Sequence, residues 1–149
     1  MSIDDTIGGF VLDASALTVL GGGENIYATT WADRAAVRGI VLLVPAAALS
    51  EAWQQIRRHE PGHVEQMRDL LASPMILIDP LDATEAVHAG ELVGGRNLNP
   101  DVAAVQVVTC ARAWNWPVLA AQAAARLRVI DPELTVETLP GTSWPESQH

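Results

Sequence analysis

Four polar residues stand where the chain can most easily place a chemical site. Asp13 and Gln122 each follow a short apolar segment, and Glu51 and Asp101 lie near the starts of two helical segments. Ligands bind to open parallel sheets outside the carboxyl ends of the strands, which is where residues of this kind gather. Carboxylate oxygens suit hard divalent cations, so the three acids are the first candidates for a functional site.

Each acid also has an ordinary structural explanation. Asp13 lies at a strand-to-helix turn and is placed to cap the helix, although Ser15 is the residue we expect as its N-cap. An acid in a first helical turn, such as Asp101, is favoured by the helix dipole alone. A helical glutamate such as Glu51 is most often simply solvated. The sequence leaves both explanations open for each acid.

Strands alternate with helices along the chain. Apolar runs predict strands at 9–12, 40–44, 75–78 and 117–120, and a fifth strand is expected at 135–139. Helical periodicity and capping signals predict helices at 24–38, 46–59, 61–72, 82–93 and 122–127, one more after Asp13 and another opened by Asp101. This alternation predicts an α/β fold with helices packed around a mostly parallel sheet.

Composition indicates one domain. With 149 residues and 49% hydrophobic composition, we expect a single domain over 1–139 and a flexible tail over 140–149. The single Cys110 precludes an intramolecular disulfide, and no apolar run is long enough to span a membrane. We therefore expect a cytoplasmic protein without membrane association. A net charge of −9 and the absence of lysine disfavour broad electrostatic capture of nucleic acid.

Four fragments, in their order along the chain, resemble the PIN-domain family and especially its VapC-type toxin ribonucleases: VLDASAL (11–17), ALSEAW (48–53), DVAAV (101–105) and WPVLAAQ (116–122). The resemblance implies a three-layer sandwich around about five mostly parallel strands. It also implies Mg²⁺ or Mn²⁺ held by Asp13, Glu51 and Asp101 as catalytic and metal-binding residues, with Ser15 and Gln122 in auxiliary positions. The implied partners are RNA, an antitoxin protein and a second copy of the chain in a homodimer.

Residues 120–122 depart from the family pattern. The family commonly carries a fourth acid in a Thr-x-Asp arrangement, and here the segment reads Ala120-Ala121-Gln122. Gln122 offers a neutral carbonyl oxygen but adds no negative charge and cannot act as a base. Two functions follow: a metal-dependent endoribonuclease with reduced activity, or a catalytically inactive PIN-like scaffold that binds a protein or RNA partner in regulation.

Overall fold

A computed structural model describes residues 8–95, 101–122 and 124–139 of the chain. At its centre lies a parallel five-stranded sheet in the order β3-β2-β1-β4-β5. The strands are β1 Gly9–Leu12, β2 Val41–Pro45, β3 Ile76–Asp79, β4 Val118–Ala120 and β5 Val136–Thr138. Each coincides with an expected strand to within one residue at either end, which confirms the predicted α/β fold.

Helices flank this sheet. They are α1 Ala14–Gly22, α2 Ile26–Val37, α3 Ala46–His59, α4 Val64–Leu71, α5 Ala83–Gly95, α6 Val102–Trp114 and α7 Ala125–Ile130, with a short 3-10 helix Pro61–His63 before α4. The bounds of α3 are those expected from the sequence. The expected start of the last helix at Gln122 is wrong, because α7 begins only at Ala125. Residues 96–100 of the expected loop and the tail 140–149 lie outside the described ranges.

The central strand β1 explains why the apolar runs are continuous rather than alternating. Phe10, Val11 and Leu12 are fully buried, because helices cover both faces of a parallel sheet. Gly9 opens this strand where two neighbours come very close: a Cβ there would lie 2.6 Å from the Val41 carbonyl oxygen and 2.7 Å from the Trp116 ring. Only glycine lets Trp116 pack directly over the start of β1.

No helix within the described ranges is long and apolar enough to cross a membrane.

Candidate acidic site

The sheet order gathers the predicted residues at one edge. Strands β2, β1 and β4 are adjacent and parallel, so their carboxyl ends lie side by side, and the segments leaving them carry Asp13, Glu51 and Gln122. A cavity of about 390 Å³ lies at this edge, lined by Asp13, Ala14, Ser15, Thr18, Val19, Glu51, Gln55, Gln122 and Arg126. Asp101 is not one of these lining residues, but it forms an ion pair with Arg126, which is.

Asp13 is buried, and it caps α1. Its Oδ1 accepts hydrogen bonds from the Ala16 backbone N–H at 2.9 Å and from the Ser15 hydroxyl at 2.7 Å. Burial raises the pKa of the Asp13 carboxyl. The two hydrogen bonds and the positive charge of Arg126 act in the opposite direction, and the negative charge of Glu51 reinforces the rise.

Ser15 is not the N-cap that the sequence predicted. The helix begins at Ala14, two residues earlier than an N-cap at Ser15 would place it, so the cap position falls to Asp13, whose carboxylate accepts from the Ala16 amide. The Ser15 hydroxyl donates to Asp13 and accepts from the Ala121 backbone N–H at 2.9 Å. Ser15 therefore ties the carboxylate after β1 to the backbone that follows β4.

Asp101 also caps a helix, α6, and its two carboxylate oxygens have different partners. Its Oδ1 accepts from the Ala104 backbone N–H at 3.1 Å, and its Oδ2 lies 3.2 Å from Nη1 of Arg126. Capping, expected from the sequence for Asp13, is confirmed there, and Asp101 is the N-cap of α6 rather than the first-turn acid that was expected. Capping does not exclude a role in the site, because a carboxylate offers two acceptor oxygens.

Arg126, on α7, lines the cavity and is a residue that the sequence did not point to. Its Nη2 donates to both carboxylate oxygens of Glu51, each at 3.0 Å, while Nη1 pairs with Asp101. Glu51 is thus ion-paired rather than merely solvated. An arginine at the start of a short helix carries no sequence signal of its own, because its partners lie far away along the chain.

The chemistry of the three acids fits a hard divalent cation, since each offers carboxylate oxygens. The guanidinium of Arg126 contacts both Glu51 and Asp101. Only one group of three His, Cys, Asp or Glu residues among those described has its ligand atoms within 4.8 Å of one another, and it is a different group: Glu24, Glu60 and His63. There both imidazole nitrogens of His63 already face carboxylates, at 2.9 and 3.2 Å.

Gln122 is one of the residues around the acidic cavity. Its side chain is exposed and lines the cavity with Asp13, Glu51 and Arg126, while Ala120 is buried at the end of β4. The position expected for a fourth acid thus lines the same cavity as Asp13 and Glu51 and holds a neutral amide.

Gln106 is a second residue that the sequence analysis missed. It is buried in α6, where its Oε1 accepts from the Ala47 backbone N–H at 2.8 Å and its Nε2 donates to the Asp79 carbonyl at 3.0 Å. These bonds join α6 to the start of α3 and to the end of β3. A lone glutamine within the apolar run VAAVQVV was the available signal, because a buried polar side chain needs partners.

Comparison with known proteins identifies the fold. No family model matches the sequence, and a search of the curated proteins found no match either. Solved structures do match. VapBC2 from Rickettsia felis, solved bound to a DNA fragment from its promoter, aligns with a TM-score of 0.63 at 13% identity, over 87% of this chain and 98% of that one. VapC20 from Mycobacterium tuberculosis, a toxin that cleaves the sarcin-ricin loop, aligns with a TM-score of 0.59 at 17% identity, over 82% and 95%. The chain therefore has the PIN-domain fold of the VapC toxins.

Proposed function

We propose that this chain is a VapC-like endoribonuclease, a single PIN domain over 1–139 that hydrolyses RNA phosphodiester bonds at the acidic cavity. The observation that supports the proposal is that carboxylates from three separate elements lie around one cavity and one arginine. Asp13 and Glu51 line one cavity at the carboxyl edge of the sheet, and Asp101 is joined to it through Arg126. The likeness to a toxin that cleaves an RNA loop supports the same reaction class.

Asp13, Glu51 and Asp101 are the residues that would hold Mg²⁺ or Mn²⁺. Such an ion supplies charge neutralisation on a phosphodiester and activation of a water. The chain's own contribution is positioning. Ser15 fixes the Asp13 carboxylate against the backbone after β4, and the N-cap bond fixes Asp101 at the start of α6. Gln122 can orient a water through its amide but cannot remove a proton.

The proposal includes a protein partner. The net charge of −9 makes the surface a poor general match for RNA, so sustained binding is better suited to a protein that covers the acidic cavity. By analogy with the VapBC assembly, that partner is an antitoxin. We propose further that the protein acts in the cytoplasm as a homodimer.

The test is cleavage of a panel of structured RNAs, including a sarcin-ricin loop, by the purified chain with Mg²⁺ or Mn²⁺. Asp13→Asn and Glu51→Gln should each lower the rate more than about 100-fold, since even outer-shell partners of metal ligands contribute about 10- to 100-fold. Asp33→Asn, on the exposed face of α2, is the matched control and should cleave at the wild-type rate. Activity that survives in both site variants would refute the assignment.

A non-catalytic scaffold is the second candidate, and two observations favour it. The fourth acidic position holds Gln122, and the guanidinium of Arg126 already neutralises part of the site. The double variant Ala120→Thr, Gln122→Asp restores the threonine and the aspartate of the family's Thr-x-Asp arrangement. Faster RNA cleavage by this variant than by wild type favours the nuclease, whereas no cleavage by either folded protein on any RNA favours the scaffold.

A further inference from the structure

The guanidinium of Arg126 lies among the carboxylates where a cation is needed. It contacts both oxygens of Glu51 at 3.0 Å and Oδ2 of Asp101 at 3.2 Å, and its charge also acts on Asp13. No other arginine among the described residues forms an ion pair with any of the three acids. Among the described arginines, Arg126 alone therefore provides positive charge to Asp13, Glu51 and Asp101.

A guanidinium and a divalent ion compete for the same atoms. The Glu51 oxygens that accept from Nη2, and the Asp101 oxygen that faces Nη1, are oxygens that a metal bound to these two acids would also contact. Two cations at one set of oxygens would also repel each other. Arginine keeps its charge at any ordinary pH, so the competition cannot be relieved by loss of a proton.

The side chain of Arg126 is partly exposed, so it can move away from Glu51 and Asp101 into solvent. Its side chain is 43% exposed, and it projects from the first turn of α7, a six-residue helix whose start lacks a side-chain cap. The ion pairs with Glu51 and Asp101 are themselves partly exposed, at 34% and 27% for the two acids. Exposed pairs of this kind are weak enough to exchange with another cation.

We propose that Arg126 is a built-in cation of the acidic site, which a divalent metal ion must displace before it can bind Glu51 and Asp101. The inference rests on the metal site of the proposed function and adds the regulation of that site: in the free protein, its own arginine compensates part of the negative charge of the acids. Arg126 acts here as a positioning residue and not as a catalytic one.

The first test is Mn²⁺ titration of the full chain, with the free ion followed by electron paramagnetic resonance. Arg126→Ala should bind Mn²⁺ at least about tenfold more tightly than wild type, a factor that corresponds to about 1.4 kcal/mol of relieved competition. Arg128→Ala is the matched control, because it removes the same charge from the same helix at an exposed position. Its affinity should stay within about twofold of wild type.

A second test needs no variant. Wild-type protein is treated with phenylglyoxal, an arginine reagent, with and without saturating Mn²⁺, and the modified peptides are measured by mass spectrometry. Modification of Arg126 should become several-fold faster with Mn²⁺ because the ion releases the guanidinium, while Arg128 should react at one rate throughout.

The outcomes separate the two proposals. Equal, measurable Mn²⁺ affinities of wild type and Arg126→Ala would overturn the exchange and leave the metal site standing. Weaker binding by Arg126→Ala, or a rate of Arg126 modification that Mn²⁺ does not change, would overturn it as well. If Arg126→Ala binds no Mn²⁺ at millimolar concentration, the metal site fails, and the proposed nuclease fails with it.

Discussion

The aspartates of the site each use one oxygen to begin a helix. For Asp101 the division is explicit, since Oδ1 caps α6 and Oδ2 faces Arg126. Asp13 directs Oδ1 to both the amide of Ala16 and the hydroxyl of Ser15. A capping acid has a fixed rotamer, so the same hydrogen bonds that stabilise the helix ends also hold the carboxylates in place. Structural and functional explanations of these residues are therefore compatible.

This double use predicts a graded effect of substitution at Asp101. Asp101→Asn keeps an N-cap acceptor but removes the charge that faces Arg126, whereas Asp101→Ala removes both. Urea unfolding should show a loss of about 1 kcal/mol or more for the alanine variant and less than about half of that for asparagine. Asp33→Ala is the surface control. Equal losses for the asparagine and alanine variants would mean that the charge, and not the cap, stabilises the start of α6.

Helix α6 is the element on which the site depends most. It packs against α3, α5 and α7 and against three strands, so it links the segments that carry Glu51, Asp101 and Arg126. Its one buried polar side chain, Gln106, bonds to backbone groups at the start of α3 and the end of β3. Around the same Asp79, the Cys110 thiol donates to Oδ2 at 3.0 Å. The position of α6 is thus fixed by directional bonds as well as by apolar packing.

Gln106→Leu should show how much these directional bonds contribute. The change leaves the Ala47 N–H and the Asp79 carbonyl without their partner in a part-buried setting, so we expect a loss of about 2 to 3 kcal/mol in the free energy of unfolding. Gln54→Leu, at an exposed position on α3, is the matched control and should change stability by less than about 0.5 kcal/mol. A Gln106→Leu protein as stable as the control would show that apolar packing alone positions α6.

The protein as a unit combines a strongly negative charge with an acidic cavity at one sheet edge. Its charge of −9 is spread over the chain, and any salt will relieve part of the general repulsion. Evidence for a specific metal site must therefore be a stabilisation by metal that is larger than the stabilisation by NaCl at the same ionic strength.

Thermal melts with Mg²⁺ or Mn²⁺, at ionic strength matched with NaCl, should make that distinction. A site that binds only the folded state raises stability by about 1.4 kcal/mol for each tenfold rise in metal above the dissociation constant. We expect the midpoint of wild type to rise with metal concentration and that of the Asp13→Asn, Glu51→Gln double variant to stay level. If the midpoint of the double variant rose by the same amount, the stabilisation would come from charge screening and not from metal bound at Asp13 and Glu51.

The sequence determined the order of strands and helices, because that information is local. Strands such as β2 are short apolar runs, and the apolar face of α3 repeats at helical spacing, so both are visible within a few residues. The carboxyl-edge position of Asp13, Glu51 and Gln122 followed from the same local pattern and the geometry of parallel sheets.

Only the tertiary structure decided which atoms meet. Asp13 and Ser15 both satisfy the composition rule for an N-cap, and the choice depends on where the backbone first becomes helical. The partners of Arg126 and Gln106 lie 75 and 59 residues away, at Glu51 and Ala47. No local periodicity records such pairs, because they form only when separate elements pack side by side around the sheet. The position of Arg126 between Glu51 and Asp101 is therefore a property of the folded chain.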